Sequence, residues 1–498
     1  MQAKHTLTRD VDQLHTLVFE LQSQVNVLKD QLSLMKHRLF GPKHESVDVN
    51  QIPLFESDEV QLVPVASQNE AVPKDTTKPL PEKRSALRVL RSLPVKVEIV
   101  DLPEHQQHCD CCGSSMADIG QDISRQIEYV PAQLYIKETH RKKYACRSCD
   151  LEIRRAPKPF QPIPKSMASP ALLAHLIVSK FADHLPYYRL EKRLSRLGIT
   201  LSRNTMSEWL MRSADALDAP YQSLKQAVLD RHHVFTDDTI LPMQNTDPLR
   251  KTTLKSRIWV YATNDQRGPP ITVYDFSTGR QQSAPHRFLE GFHGHLQADG
   301  YAGYQTLYDS GQVTEVACWA HARRRFVDAS RLVKTPGRAH EGVRWIRALY
   351  RIERRIKPLS INERFKARQE DSTPLLKAFH AWLLQQSASV LPKSPLGDAI
   401  FYALNRWEAL TEYCNAGELE IDNNRAERFM RPIALGRKNY LFVGNETAGH
   451  AAAKLYSLVE TCQVNGINPL AYLTDALCTP NPECPLAWRE RQPHSYAL

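Results

Sequence analysis

Three carboxylates in the second half of the chain have the residue types and the sequence setting that phosphodiester chemistry requires. Asp237 and Asp299 are predicted to end the first and fourth strands of one sheet, and Glu427 falls one turn into a helix that the preceding Asp-Asn-Asn sequence should cap. Such a set can hold two Mg²⁺ ions, which would activate an attacking oxygen and stabilise a leaving oxygen. Two strand-end aspartates and a helical glutamate also occur by chance in many folds, but their coincidence with the strand order and with nearby arginines favours a catalytic site. Asp238 is an alternative to Asp237, and because successive strand side chains face opposite ways, only one of the two should face the site.

Four cysteines form two matched pairs that are typical of a zinc site. The pairs are Cys109 with Cys112 and Cys146 with Cys149, with 33 residues between them. Two such turns bring four thiolates into one tetrahedron, and because this leaves no open position for a substrate, the zinc would be structural. Strand-like sequence at 126–130 and 133–140 is consistent with a zinc ribbon. His108 and Cys111 are weaker candidate ligands, and reduced, buried cysteines are the alternative.

Basic residues around the carboxylates are candidates for contacts with nucleic acid. They are Arg323, Arg324, Arg325, Arg425, Arg428, Arg431, Arg437 and Lys438. We interpret them as contacts to phosphates rather than to bases, with solvated surface charge an equal alternative for each one. His321, two residues past the fifth predicted strand, is placed where it could touch a scissile phosphate, although a structural role is favoured.

A pair of helices further upstream has the pattern of a helix-turn-helix. Helices are predicted at 187–197 and 203–217, with Gly198 in the turn and Ser202 as the N-cap of the second helix. The residues at the exposed start of that helix, where such motifs contact DNA, would be Arg203, Asn204 and Ser207. An ordinary helical hairpin is an equal alternative on pattern alone.

The spacing of apolar residues along the chain predicts the strands and helices that must position the carboxylates. Strands are predicted at 234–237, 257–263, 271–276, 295–298 and 315–319, with helices at 280–292 and 304–307. The order β-β-β-α-β-α-β is that of the ribonuclease-H-like fold, whose sheet mixes parallel and antiparallel strands. Residues 322–420 are predicted to be a helical insertion, and we interpret its aromatic residues as core.

The N-terminal segment has a heptad pattern. One seam position is occupied by Val11, Val18, Val25, Leu32 and Leu39, and the other by Leu14, Leu21, Leu28 and Met35. Valine at the first position and leucine at the second predict a parallel two-stranded coiled coil, so we expect at least a dimer. One amphipathic helix packed on the rest of the chain is the alternative.

The length, charge and composition limit the classes of protein to which the chain can belong. The 498 residues are enough for about three domains, and the net charge of +10 favours an acidic partner such as nucleic acid. The longest dense apolar run, residues 172–178, is too short to cross a membrane, and no secretion signal is visible. The clustered cysteines favour an intracellular metal site over a disulfide scaffold.

Together these patterns predict a multidomain α+β protein. The predicted units are a coiled-coil helix (1–42), a flexible linker (43–95), a zinc-ribbon DNA-binding domain (96–160), a helical helix-turn-helix-like domain (161–225), the first part of a ribonuclease-H-like catalytic core (226–321), a helical insertion (322–420), a core helix with the glutamate (421–450) and a C-terminal helical segment (451–498).

Motifs along almost the whole chain resemble those of transposases of the insertion sequence 66 family. The C-terminal motifs are IDNNRAERFMRPIALGRKNYLFVGN and YSLVETCQVNGINPLAYL, and the internal ones are FTDDT, LQADGYAGY and CWAHARRRF. Upstream, RLFGPKHE, the cysteine pairs and KFADHLPYYRLEKRLSRLGITLSRNTMSEW match as well. Many members have Asp-Glu-Thr where this chain has Asp237-Asp238-Thr239, and the usual glycine pair after the LF-x-G sequence is here Ala448-Gly449, near a loop of unknown role.

The resemblance implies an Asp-Asp-Glu transposase whose triad is Asp237, Asp299 and Glu427. It implies Mg²⁺-dependent cleavage at the ends of a mobile DNA element and transfer of the freed 3′ hydroxyls to target DNA. Element-end DNA, target DNA and accessory proteins of the same element would be partners, in the bacterial cytoplasm and on the nucleoid when DNA is bound. A non-catalytic DNA-binding regulator and a nuclease that cuts without joining remain alternatives.

Overall fold

The computed structural model describes residues 133–145, 153–245, 252–332 and 336–491, with the isolated positions 21, 97, 111, 114 and 115. The chain divides into two compact units, residues 56–139 and the remainder. The flexible linker, the heptad segment except residue 21, and all four paired cysteines lie outside the described residues, so the coiled coil and the zinc site remain predictions. Among the described helices, none has both the length and the apolar character needed to span a bilayer.

The predicted strand at 133–140 is wrong, because these residues have no regular structure. Tyr135 and Ile136 are 85% and 91% exposed, so the alternating pattern here has no buried face. A short antiparallel ribbon forms nearby, between β1 (Lys143–Ala145) and β2 (Ile153–Arg155).

Four helices precede the main sheet. They are α1 (Pro170–Phe181), α2 (Tyr187–Arg196), α3 (Arg203–Ala216) and α4 (Asp218–Leu229). Ser202 caps α3 as its sequence predicts, because its side chain accepts a hydrogen bond from the backbone N–H of Thr205. Gly198, between α2 and α3, has a φ of +89°, a conformation that glycine adopts without steric cost.

The main sheet has five strands. They are β3 (His233–Ile240), β6 (Arg257–Ala262), β7 (Thr272–Ser277), β8 (Gly294–Gln297) and β9 (Val313–Val316), and a separate two-stranded ribbon joins β4 (Met243–Gln244) to β5 (Thr253–Leu254). The order across the sheet is β7-β6-β3-β8-β9. The β7–β6 and β6–β3 pairs are antiparallel, whereas β3–β8 and β8–β9 are parallel. Helices α5 (Ser283–Phe288) and α6 (Gln305–Asp309) connect the last three strands.

The strand ends differ from the sequence prediction in three places. β3 continues past Asp237 to Ile240, because residues 237–240 still pair with β6. β8 ends two residues before Asp299. Trp319 begins a helix rather than ending β9, and its side chain is buried against the insertion, where the indole N–H donates to the Leu410 carbonyl at 2.7 Å. That contact is remote in sequence, so the local pattern could not reveal it.

The helical insertion has a hydrophobic core of its own. Its helices are α7 (Trp319–Arg331), α8 (Arg338–Ile356), α9 (Ile361–Ala367), α10 (Thr373–Ser387), α11 (Pro395–Asn405) and α12 (Trp407–Thr411). Trp345 and Phe379 stack inside this core with centroids 5.7 Å apart, as expected of core aromatics. Arg368 is fully buried; it pairs with Glu353 at 2.7 Å and donates to the carbonyls of Tyr413, Ala416 and Leu419.

The chain then returns to the main sheet through five helices. They are α13 (Asn424–Phe429), α14 (Arg431–Tyr440), α15 (Glu446–Val464), α16 (Pro469–Ala476) and α17 (Pro485–Arg491). The segment predicted as one core helix therefore contains two short helices and the start of α15. Gly449 lies inside α15 rather than near a loop, and a Cβ there would lie 2.5 Å from the Phe276 ring, so the close contact between α15 and β7 requires glycine.

Helix α15 covers the outer strand of the sheet with hydrogen bonds as well as apolar contacts. The backbone N–H of Tyr274 donates to Ser457 Oγ at 2.8 Å, and that of Thr272 donates to Thr461 Oγ1 at 3.2 Å. Thr461 Oγ1 in turn donates to the Thr272 carbonyl at 2.9 Å. Backbone groups that an edge strand would otherwise leave open are thus satisfied by side chains from the C-terminal part of the chain.

Candidate active site

The two adjacent aspartates of β3 have different surroundings. Asp238 is held by two guanidinium groups, because Arg257 Nη1 and Arg280 Nη2 each lie 2.8 Å from one of its carboxylate oxygens. Its side chain is only 3% exposed. Asp237 accepts the backbone N–H of Asp238 at 2.8 Å. Asp238 is thus engaged by arginine on both oxygens, and Asp237 is the one that remains available to other carboxylates.

Burial, together with the nearby negative charge of Asp299 and a smaller effect of Glu427, raises the pKa of Asp237 to about 7. A carboxyl group keeps its proton up to such a pH when it is shielded from water and close to other negative charges. Asp237, on β3, is therefore within electrostatic reach of Asp299, after β8, and of Glu427, on α13, although the three residues are far apart in sequence.

Asp299 and Glu427 are partly exposed and lie next to basic groups. Asp299 accepts the backbone N–H of Tyr301 at 3.0 Å and lies 3.7 Å from Arg280 Nη2. One oxygen of Glu427 lies 3.7 Å from His321 Nε2 and 3.8 Å from Arg324 Nη2. These separations are too long for strong hydrogen bonds, so both carboxylates keep acceptor capacity.

Asn423 fixes the helix that carries Glu427. Its side-chain Nδ2 donates to the Thr236 carbonyl at 2.8 Å, one residue before Asp237, and its backbone N–H donates to Cys318 Sγ at 3.2 Å. The prediction that the Asp-Asn-Asn sequence caps the helix through side chains is wrong for Asn423, which stands at the N-cap position but makes no capping bond. Its amide is used instead to join α13 to β3.

Asp422 supports the same turn from the insertion side. Its carboxylate accepts the Tyr350 hydroxyl at 2.7 Å and the backbone N–H of Asn424 at 3.1 Å. Burial raises its pKa to about 6. Asp422 therefore anchors the start of α13 to helix α8.

A second buried polar network joins β3 and β8 to the end of the insertion. His233 Nε2 and Gln297 Oε1 are 3.0 Å apart, and the Gln297 amide donates to the Glu420 carbonyl at 2.7 Å. Asn264 donates to the Glu418 carbonyl at 2.9 Å. Burial lowers the pKa of His233 to about 3, so the imidazole is neutral and can donate through Nε2 to Gln297.

His321 faces Glu427 as a neutral imidazole. Burial lowers its pKa below the ordinary histidine value, against the opposing effect of Glu427. Its Nδ1 is buried and has no hydrogen-bond partner among the described residues.

The candidate DNA contacts are of two kinds. Arg425 pairs with Glu420 at 3.0 Å, and Arg437 donates to Thr239 Oγ1 at 3.0 Å and to the Ile240 carbonyl at 2.6 Å, so these two side chains hold the fold together. The exposed members are Arg203, Asn204, Arg324, Arg428, Arg431 and Lys438, and the half-buried ones are Arg323 and Arg325. Among these, Arg203 pairs with Glu191 and Arg325 pairs with Asp398.

The donor chemistry of the carboxylate site fits a divalent cation. Within the ranges that the structure describes, no three His, Cys, Asp or Glu side chains lie together as a formed metal-ion site. Asp237, Asp299 and Glu427 nevertheless offer only oxygen ligands, which Mg²⁺ prefers. A cation would relieve the repulsion that raises the pKa of Asp237.

Several residues that position the site were missed by sequence reasoning. They are Arg257, Arg280, His233, Gln297, Asn264 and Cys318. Arg257, the first residue of β6 and directly before its apolar residues, carries no local sign that it pairs with Asp238. The Asp-Asn-Asn sequence was noticed, but only as a helix cap.

Comparisons with known proteins agree with the motifs. A family model described as "Transposase IS66 family" matches residues 165–451, more than half of the chain. A second, described as "zinc-finger binding domain of transposase IS66", matches residues 106–150, the range that contains the four paired cysteines.

Curated relatives occur in Sinorhizobium fredii. Uncharacterized protein y4jD is 36% identical over 487 residues, covering 95% of this chain and 93% of its own length. Uncharacterized protein y4qI is 33% identical, covering 85% of this chain and 79% of its own length. Uncharacterized protein y4hP is 33% identical, with 74% and 70% covered.

Proposed function

Because the chain belongs to the IS66 transposase family, we propose that it cleaves DNA at the ends of a mobile element and joins the freed 3′ hydroxyls to target DNA. The catalytic carboxylates are Asp237, Asp299 and Glu427. The observation that carries this proposal is the effect of the Asp299 and Glu427 charges on Asp237, since the three groups come from β3, from the segment after the neighbouring parallel strand β8, and from a helix more than a hundred residues away.

The strand order supports a ribonuclease-H-like core. When the five strands are numbered by their position in the chain, their order across the sheet is third, second, first, fourth and fifth. The first and fourth strands are parallel neighbours. Phe235 of β3 pairs with Gln297, the last residue of β8, so Asp237 and Asp299 each lie two residues past this pair, which supports placing both at one site. The insertion then supplies the third carboxylate on its return to the sheet.

Asp237, Asp299 and Glu427 would hold Mg²⁺. Bound there, the metal would activate the attacking oxygen and stabilise the leaving oxygen of a phosphodiester. Asn423 and Asp422 orient α13, so that the Glu427 carboxylate stays beside β3. Arg324, which is half exposed and lies 3.8 Å from Glu427, is placed to bind a phosphate next to the carboxylates.

The N-terminal half would serve DNA binding and assembly. The cysteine pairs would hold a structural zinc, α2 and α3 would act as the helix-turn-helix, and the heptad segment would join two chains. These roles match the predicted order of domains, from assembly and DNA binding to catalysis.

The experiment is a gel shift and a Mg²⁺-dependent cleavage assay on the same duplex, which carries the inverted repeats that bound the gene. Asp237→Ala, Asp299→Ala and Glu427→Ala should each lower the cleavage rate by several orders of magnitude, without additivity, because the three groups act as one unit. Binding should persist, because affinity for DNA comes mainly from neutralised phosphates.

A matched control is Asp275→Asn. Asp275 is a β7 carboxylate with 13% side-chain exposure that pairs with Arg287 at 3.2 Å, and its loss should leave cleavage unchanged. Normal cleavage by all three triad variants would refute the proposal. Normal cleavage by Glu427→Ala alone would move the search to Glu412, Glu418 and Glu420, although these pair with His295, Arg267 and Arg425.

A further inference from the structure

Helix α8 of the insertion presents arginine along one side and apolar residues along the other. Arg344, Arg347, Arg351 and Arg354, called here the α8 arginine stripe, are all exposed. At ~100° per residue they lie within an arc of about 80°. The opposite side is buried in the insertion core through Ile346, Leu349 and Ile356.

The positive charge of the stripe is not neutralised by the part of the chain that the structure describes. Among the described residues, no carboxylate forms an ion pair with any of its four guanidinium groups. Of the two acidic residues of α8, Glu341 lies in the first turn, and Glu353, near the C-terminal end, pairs with the buried Arg368 at 2.7 Å. Like charges three and four residues apart destabilise a helix, so an ordinary solvated face would alternate the two signs. An anionic partner explains the pattern.

The stripe lies beside the candidate active site. Tyr350, on the same helix and about 40° around it from Arg354, donates to Asp422, five residues before Glu427. Helix α7, which packs against α8 in the insertion core, carries Arg324 next to Glu427. Basic groups therefore continue from the carboxylates onto the exposed side of α8.

The spacing of the stripe suits a nucleic-acid backbone. Ten residues separate Arg344 from Arg354, which is about 15 Å along the helix axis. One DNA strand carries a phosphate about every 3.4 Å of duplex axis, so four or five phosphates span this length. Guanidinium groups bind phosphate oxygens through paired hydrogen bonds without selecting bases.

We propose that the α8 arginine stripe binds the sugar-phosphate backbone of duplex DNA next to the scissile position. The inference rests on the proposed function, because it takes the partner of the neighbouring carboxylates to be DNA. It gives the insertion a part in holding the DNA, in addition to its part in positioning Glu427.

The test is the salt dependence of DNA binding by the full chain. The quadruple variant Arg344→Gln, Arg347→Gln, Arg351→Gln and Arg354→Gln should reduce the slope of log Kd against log salt by about 3–4, since each phosphate contact contributes about 0.9. Two duplexes are compared, one with the element's terminal repeat and one of unrelated sequence. A reduced slope on either supports the proposal, and the duplex affected tells whether the stripe holds the element's end or the target.

The control variant also loses four positive charges, but from arginines that already pair with carboxylates. Arg267, Arg287, Arg355 and Arg491 each contact a carboxylate, so their glutamine variants together should change the slope by less than about one. An unchanged slope in the stripe variant, or an equal fall in the control, overturns the proposal. Absence of cleavage by the wild-type chain would instead count against the proposed function, and the two failures are therefore distinguishable.

Discussion

The replacement Asn423→Ala separates the positioning of Glu427 from the stability of the fold. The Asn423 side chain is fully buried, and its amide donates to the Thr236 carbonyl at 2.8 Å. Alanine removes this bond and leaves the carbonyl without that donor. The bond is a direct side-chain hydrogen bond between the start of α13 and the strand that carries Asp237, so its loss should let the two carboxylates move apart.

The size of both effects follows from this geometry. A buried carbonyl that loses its partner costs about 1–3 kcal/mol in free energy of unfolding. A catalytic group displaced by about 1 Å loses on the order of 10²-fold in rate. We therefore expect a modest loss of stability together with a loss of cleavage of about 10²-fold.

The assay combines urea unfolding with Mg²⁺-dependent cleavage of the terminal duplex, and Asn465→Ala is the matched control. Asn465 is also buried, and its amide donates to the Pro270 carbonyl at 2.8 Å, but it lies at the C-terminal end of α15, away from the carboxylates. Asn465→Ala should cost similar stability and keep its cleavage rate.

Two results would refute the reasoning. Cleavage at the wild-type rate by Asn423→Ala, despite the stability loss, would mean that this bond does not position Glu427. Equal loss of cleavage in both variants would mean that activity follows overall stability.

Three further predictions concern metal content, assembly and pH. Metal analysis of the purified chain should find about one zinc per chain, lost when Cys109, Cys112, Cys146 and Cys149 are replaced by serine; zinc retained after replacement would reject this ligand set. Light scattering should show that a chain starting at residue 83 has a smaller mass per particle than the full chain, and an unchanged mass would place the interface outside the heptads. Burial raises the pKa of Glu460 to about 7, above its value in the unfolded chain. The folded state therefore stays protonated up to a higher pH than the unfolded state does, and the free energy of unfolding should fall as the pH rises from about 4.5 to 7. Relative to the wild-type chain, Glu460→Gln should raise the free energy of unfolding by on the order of 3 kcal/mol at pH 8 and by little at pH 4. Equal effects at the two pH values would contradict the raised pKa of Glu460.

The strands of the sheet could be predicted well because the alternation of apolar and polar residues along a strand is a local property of the sequence. Arg257–Ala262 and Thr272–Ser277 lie within one residue of their predicted positions. Residue type and predicted strand ends also indicated Asp237 and Asp299, and the predicted helix after Asp422-Asn423-Asn424 indicated Glu427; this triad stays a prediction. The resemblance to a known family gave the same triad.

What the sequence could not predict depends on contacts between distant residues. Asn423 and Thr236 are 187 residues apart, and their bond turned an expected helix cap into a connection between α13 and β3. The pairing of Arg280 with Asp238, which distinguishes the two adjacent aspartates, likewise depends on the fold. The ion pair of Arg425 with Glu420 and the hydrogen bonds of Arg437 to Thr239 and Ile240 show why a basic residue near the site need not contact DNA.

The covering of β7 by α15 has a consequence for the order in which the chain folds during synthesis. All five strands have been made once Val316 is complete, but Ser457 and Thr461, which satisfy the backbone of β7, follow ~140 residues later. At about 5–20 residues per second this delay is roughly 7–28 s. During it the outer strand is open to pairing with other chains, so a ribosome that stalls in the insertion should release a product prone to aggregation. Glu427 is also made after the insertion, so under the proposed function a nascent chain would not cut DNA before its insertion has been made.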